Sequence, residues 1–144
     1  MSRLAPISQT ETILNYVKAR LEEMLDSENA DRFAQVEKFP GSSTTALLDF
    51  LPNLSMPAAA IVYNGSDVAN HPLRKLYLSV AIVTAISQSS DFEDLRAHID
   101  AVTLKLDELM DGSVKYEVTG DKTLDMPDNP SLAAAFVNLE IKDH

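Results

Sequence analysis

One alternating segment that leads directly into a helical segment constrains this chain more than any other feature. Residues 73–87, LRKLYLSVAIVTAIS, alternate with a period of two, which predicts one long strand. Residues 90–109, SDFEDLRAHIDAVTLKLDEL, then switch to apolar spacings of three and four, which predicts a long amphipathic helix. Six side chains form its apolar stripe: Phe92, Leu95, Ile99, Val102, Leu106 and Leu109.

The two faces of the predicted strand differ in character. One face carries bulky aliphatic side chains, namely Leu76, Leu78, Val80, Ile82 and Ile86. The other face carries smaller and mixed side chains, namely Tyr77, Ser79, Ala81, Val83 and Ala85. We expect the bulky face to pack against the helices and the small-residue face to remain free for a second layer or a partner.

The remaining segments predict an α+β fold in a single domain, residues 1–144. A mixed or antiparallel sheet is packed on one face by two main helices, at about 8–26 and 91–110, with a short helix near 45–51. Predicted strands are Ala58–Tyr63, residues 114–118 and residues 133–142, whereas Arg32–Phe39 fits a strand or a loop. Capping boxes, Ser8 with Glu11 and Ser90 with Glu93, begin the main helices.

Turn-forming residues predict two loops and a helix end. Asn64-Gly65 predicts a turn that opens a loop over 64–74, and residues 119–130 predict a second loop. Gly112 is a candidate for the residue that follows the C-terminus of the second main helix. The acids Asp107, Glu108 and Asp111 lie at the end of that helix where the dipole disfavours them, so another interaction must account for them.

Composition excludes several classes of function. The formal net charge of −10 argues against general binding to the phosphate backbone, which requires Lys and Arg. The chain has no cysteine, which excludes disulfides and thiolate sites and fits a reducing cytoplasm. The longest apolar run, Ala58–Tyr63, is too short to span a bilayer, and the first residues lack the apolar region of a secretory signal.

No group of side chains forms a recognisable reactive site. The three histidines lack metal-ligand spacing, and the loop aspartates lack the calcium-loop pattern. The SSTT segment at 42–45 lacks the lysine of a phosphate loop. Helix capping explains the SSTT segment better. The histidines His71, His98 and His144 fit solvated or partly packed positions, and Asp121, Asp125 and Asp128 fit turn-forming positions. The basic pair Arg74 and Lys75 fits two exposed charges at the start of a strand. We therefore predict no enzyme activity and no catalytic, cofactor-binding or metal-binding residue.

The order of elements resembles the tail terminator, or tail completion, proteins of long-tailed bacteriophages, including the lambda tail terminator and relatives in Mu-like prophages. The resemblance lies in an N-terminal helix (ETILNYVKARLEEML), a short helix with a proline-bounded turn and an apolar strand (ALLDFLPNLSMPAAAIVYNG), and the long strand and helix described above. An end strand after an irregular loop (LDMPDNPSLAAAFVNLEI) completes it. The resemblance covers nearly the whole chain.

That resemblance implies a structural virion protein of α+β fold that forms a hexameric ring on the tail tube. Its partners would be further copies of itself, the tail tube protein and the head-completion protein, first in the host cytoplasm and then in the virion tail. DNA would pass through the lumen without specific binding, which an acidic chain favours through like-charge repulsion. We expect the loops at 64–74 and 119–130 and the sheet edges to form these contacts, so that deleting 121–129 impairs assembly and leaves the fold intact.

Two other readings remain open from the sequence. One is another neck or tail component of similar size. The other is a small α+β enzyme or ligand-binding domain whose site is built from scattered residues. A ring in solution favours the tail terminator, whereas a strict monomer with a deep polar pocket favours the ligand-binding domain.

Overall fold

A computed structural model of the chain describes residues 9–67, 74–86 and 93–143. The helices are α1 (Gln9–Glu22), α2 (Thr44–Phe50) with a 3-10 turn (Leu51–Asn53), and α3 (Glu93–Leu106). The strands are β1 (Gln35–Lys38), β2 (Ala58–Asp67), β3 (Arg74–Ala85), β4 (Met110–Asp111), β5 (Val114–Leu124) and β6 (Leu132–Asp143). The ambiguous segment 32–39 therefore contains a short strand.

The strands of the described residues form one mixed sheet in the order β1-β2-β3-β6-β5-β4. β1 pairs with β2 in parallel, and every other pairing is antiparallel. The long strand β3 lies near the centre, where it pairs with both β2 and β6. The predicted α+β class with a mixed sheet is confirmed.

The larger core lies between the first face of the sheet and the two main helices. The bulky face of β3 is buried there as predicted, and the apolar stripes of α1 and α3 pack against it. Leu21 of α1, Leu106 of α3 and Tyr116 of β5 are each 0% exposed. The Tyr116 ring packs on Tyr16 of α1 with the ring centroids 5.4 Å apart. Hydrophobic burial on this face therefore fixes both helices on the sheet.

Part of the small-residue face of β3 is covered by a second layer, one of the two outcomes expected from the sequence. Ala81 and Val83 are buried in a second core beneath α2 and the 3-10 turn, together with Leu47 and Leu51. Small side chains on the sheet allow this short helical segment to approach closely. Its Ser43 side chain caps α2 by accepting a hydrogen bond from the Ala46 N–H, 3.1 Å away.

Both predicted loops are shorter than expected because strands continue through β-bulges. Asn64-Gly65 is not a turn: the register shifts between Tyr63 and Gly65, and β2 continues to Asp67. β5 continues past Gly120 to Leu124 after a similar shift. Residues 121–129 thus include the end of β5 and buried Met126. The premise that these residues form a loop is wrong, and because deleting them would truncate the sheet, we now expect the deletion to destabilise the fold.

The end of α3 also differs from the prediction. The helix ends at Leu106, and Glu108 takes the left-handed conformation there with a φ of 59°. Gly112, with a φ of 61°, lies instead in the turn between β4 and β5. Asp107 Oδ1 accepts a hydrogen bond of 2.9 Å from the Val118 N–H of β5. This bond gives a physical reason for one of the acids at the helix end.

Removing the Asp107 carboxylate should therefore destabilise the protein. We expect Asp107→Ala to lower the free energy of unfolding by about 1 kcal/mol, because the Val118 N–H loses its acceptor. Asp107→Asn keeps an acceptor oxygen and is the matched control. Urea unfolding of both variants measures the difference. Equal stability of Asp107→Ala and the parent would show that water replaces the carboxylate without cost.

Candidate interaction surface

Some of the residues considered from the sequence lie outside the described part of the chain. These are Ser8, His71, Ser90, Phe92 and His144, as well as the side chain of Arg74. Within residues 9–67, 74–86 and 93–143, no group of three His, Asp or Glu side chains is arranged to hold a metal ion. Asp121, Asp125 and Asp128 are exposed, and Asp121 belongs to β5 rather than to a loop.

His98 is a packed histidine on the buried side of α3. Its ring lies 5.3 Å from the Phe33 ring, measured between centroids. The Arg32 Nη1 donates to His98 Nδ1 over 3.2 Å, so the neutral imidazole serves as an acceptor. Burial lowers the pKa of His98, the Arg32 charge lowers it further, and Asp94 opposes both effects.

This environment makes stability depend on pH. Because the folded protein favours neutral His98, the stabilisation is complete above the ordinary pKa of 6.5 and is lost as the pH falls through and below it. We expect the free energy of unfolding to decrease between about pH 7 and about pH 5, above the range in which most carboxylates titrate. His98→Gln should show a smaller decrease in urea unfolding across this range. An unchanged pH slope in that variant would assign the effect elsewhere.

Three lysines form a row across the second face of the sheet, which we term the lysine stripe. Lys75 of β3 pairs in register with Lys142 of β6, and Lys142 pairs with Lys115 of β5. Like charges directly opposite one another on neighbouring strands are destabilising. Asp67 of β2 lies opposite Lys75 at one end of the row.

One carboxylate holds two of these lysines. Glu140 Oε1 lies 3.3 Å from Lys75 Nζ and 3.7 Å from Lys142 Nζ. The hydrogen bond to Glu140 raises the pKa of Lys75. Among the described side chains, Lys115 has no carboxylate within 4.0 Å. Glu117 lies two residues further along β5, where it pairs in register with Glu140. Asp67, Glu117 and Glu140 lie on the same face and balance the formal charge of the three lysines. Lys115, which has no ion pair among the described side chains, is the member of the stripe that can accept a further anionic group.

A row of amide and hydroxyl groups separates the stripe from the core beneath α2. Asn64 Nδ2 donates to Ser79 Oγ, and Ser79 Oγ donates to Asn138 Oδ1, each over 2.7 Å. The apolar cluster under α2 contains no residue of Lys75–Ser79 or Asn138–Lys142. Within the described residues, half of the second face is thus polar and lacks a covering helix.

The outer side of α3 has the opposite character. Its exposed side chains include the acids Glu93, Asp94 and Asp100 and the base Arg96, and the partly exposed Lys105 is paired with Glu23 of the chain itself. Among them, Leu104 is 84% exposed, the largest exposure of the bulky apolar side chains in the described residues. α3 packs on the first face of the sheet, so this acidic side and the lysine stripe lie on opposite sides of the molecule.

The sequence did not reveal the lysine stripe. Lys75, Lys115 and Lys142 are far apart along the chain, and only the strand register aligns them. The available signal was that each lysine is next in sequence to a residue of the main core. Lys75 precedes Leu76, Lys115 precedes Tyr116, and Lys142 follows Ile141. Alternation places all three on the opposite face but cannot place them in one row.

Comparison with known proteins adds no family assignment. No protein-family model matches the chain, and no curated protein shows significant similarity to it. Among the described residues, none of the helices has the length and apolar content needed to cross a lipid bilayer.

Proposed function

We propose that this chain is a ring-forming bacteriophage tail terminator that caps the tail tube and joins the tail to the head. The observation that carries the proposal is the complementarity of two surfaces on opposite sides of one molecule, the lysine stripe and the acidic side of α3. A contact between different patches of identical chains repeats head to tail and closes into a ring when the rotation allows it.

The two surfaces have the composition of a subunit interface. Leu104 is a large apolar side chain surrounded by acids on α3, and the half-buried Tyr77 lies one residue row from the lysine stripe. Aromatic and aliphatic anchors at the centre of a contact contribute most of its binding energy, whereas the surrounding charges set orientation and partner choice. The occupant proposed for the lysine stripe is therefore α3 of a second copy.

The remaining support for a tail terminator comes from the layout of the chain. The order of helices and strands resembles that family, and the net charge of −10 suits a lumen through which DNA passes without adhering. In this proposal no reaction is catalysed. The tail tube protein, the head-completion protein and further copies of the chain are its partners.

Light scattering and negative-stain electron microscopy of the concentrated protein test the ring. We expect closed rings at low salt, with six copies in each, and smaller species at high salt because the contact is partly ionic. A monomer at every concentration and salt condition would overturn ring formation and favour a ligand-binding domain. Mixing the protein with a bacteriophage tail tube protein from the same genome tests the terminator role separately. Tubes that grow to the same length with and without this chain would reject that role.

A further inference from the structure

The geometry points to a second interaction site, a groove that binds an extended peptide segment of a partner protein along the distal half of β5. β4 covers only the beginning of β5, because it pairs with Val114 and Lys115 alone. Next along that edge, the Tyr116 backbone N–H donates a hydrogen bond of 2.8 Å to the Leu109 carbonyl. Within the described residues, Gly120–Leu124 pairs with β6 on one side and with no strand on the other. This edge can therefore accept a further strand.

The direction of the backbone groups follows from the pairing. Tyr116 and Val118 both direct their N–H groups away from β6, towards the Leu109 carbonyl and the Asp107 carboxylate. N–H groups alternate along an antiparallel strand, and the extra residue at the bulge before Gly120 shifts that alternation by one. The next outward N–H groups consequently belong to Asp121 and Thr123. These two N–H groups, with the outward carbonyl groups of the same strand, can form the main-chain hydrogen bonds to an added strand.

An apolar cleft of about 690 Å³ adjoins this edge. That volume lies within the range of about 300–1,000 Å³ that is usual for ligand sites. Asp121, Thr123 and Leu124 belong to both the strand edge and the cleft wall. Apolar side chains from four other segments complete the wall: Ile86, Leu95, Ile99, Met126 and Leu132. Side chains of an added strand on the α3 side of the sheet would enter this cleft.

The charges beside the cleft define the chemistry of the occupant. Asp121 and Asp125 contribute two carboxylates to the cleft wall, and Arg96 contributes one positive charge. Asp121 pairs with Val137 of the main core, so its side chain lies on the α3 side of the sheet, the side of the cleft. An extended segment that carries apolar side chains and an Arg or Lys together on its cleft-facing side, alternating with small polar residues, matches both the apolar cleft and this acidic rim. A compact small molecule would leave the outward backbone groups unused. The site uses a different surface from the lysine stripe and does not depend on ring formation, so the two proposals can fail separately.

A short acetylated and amidated peptide that carries valine and arginine on one face, alternating with threonine on the other, tests the site. Fluorescence anisotropy should show saturable binding of this probe to the full chain. Hydrogen exchange should show slower exchange of the amides in Thr119–Leu124 when the peptide is bound. N-methylation of alternate peptide amides should weaken binding by about tenfold or more, because the backbone bonds are lost. Peptide binding without a response to N-methylation would overturn strand addition.

A pair of charge variants separates this site from general attraction between an acidic protein and a basic peptide. Asp121→Lys should weaken binding by about tenfold, because the carboxylate in the cleft wall becomes a like charge. Asp128→Lys changes the total charge equally at an exposed position outside the wall, and should alter binding by less than about twofold. Equal losses in both variants, or no binding at about millimolar peptide, would reject the site. If the amides of Thr119–Leu124 become more protected from exchange as the protein concentration increases without peptide, the edge would be assigned to a second copy instead.

Discussion

Replacing Leu106 with alanine is expected to lower the free energy of unfolding by about 3 kcal/mol. Leu106 is 0% exposed and lies in the core between α3 and the sheet, so the truncation leaves a cavity. Leu104→Ala removes the same atoms two residues earlier, from a side chain that is 84% exposed. It should change stability by less than about 0.5 kcal/mol. Urea unfolding of the two variants measures both values.

The same pair of variants distinguishes folding from assembly. If Leu104 anchors the contact between copies, Leu104→Ala should form far fewer rings at unchanged stability. Sedimentation velocity on the folded variant measures this loss. Normal ring formation by Leu104→Ala would remove this residue from the interface. A large loss of stability in that variant would instead mean that Leu104 is packed within its own chain.

Reversing the charge of Lys115 should weaken association between copies by about tenfold. Lys115 has no ion-pair partner within 4.0 Å among the described side chains, so Lys115→Glu breaks no such pair within the chain. The new carboxylate would face Lys142 in register, which favours the fold, while it repels the acidic side of α3 on a neighbouring copy. Sedimentation velocity at low salt measures the association constant.

A charge swap identifies the partner of the lysine stripe. Asp100→Lys on α3 should weaken association between copies similarly. The double variant with Lys115→Glu should recover most of the lost association, because an acid again faces a base across the contact. Asp49→Lys on α2 makes the same change in net charge at an exposed position of another helix and is the control. Losses that simply add in the double variant would show that Lys115 and Asp100 do not meet across the contact.

The sequence predicted the elements of the main core because their periods are strong. The alternation of Leu76, Leu78, Val80 and Ile82 and the stripe of α3 both reflect burial on one side, and the structure confirms both. Strand ends were less predictable. Gly65 and Gly120 read as turn signals, yet in each case the pairing with the neighbouring strand continues past a bulge. A glycine allows either outcome, and the neighbouring strand decides between them.

The candidate surfaces could not be predicted from local patterns. Lys115 and Lys142 are unremarkable charges in their own segments, and the predicted loop over 119–130 concealed the unpaired edge of β5. Covering of the small-residue face by α2 was equally hidden, because Ala81 and Val83 fit a partner surface as well as a second core. Each of these features depends on which segment lies beside which.

By itself, the sequence determined the α+β class, the strand and helix that build the main core, and the acidic balance of the chain. Apolar periodicity and composition are local properties, so they can be read along one segment. Only the tertiary structure decided that three distant lysines align in one row, that half of the second sheet face lacks a covering helix in the described residues, and that β5 has an unpaired edge beside an apolar cleft. Strand order and register bring together residues that are distant along the chain, and no local pattern specifies them.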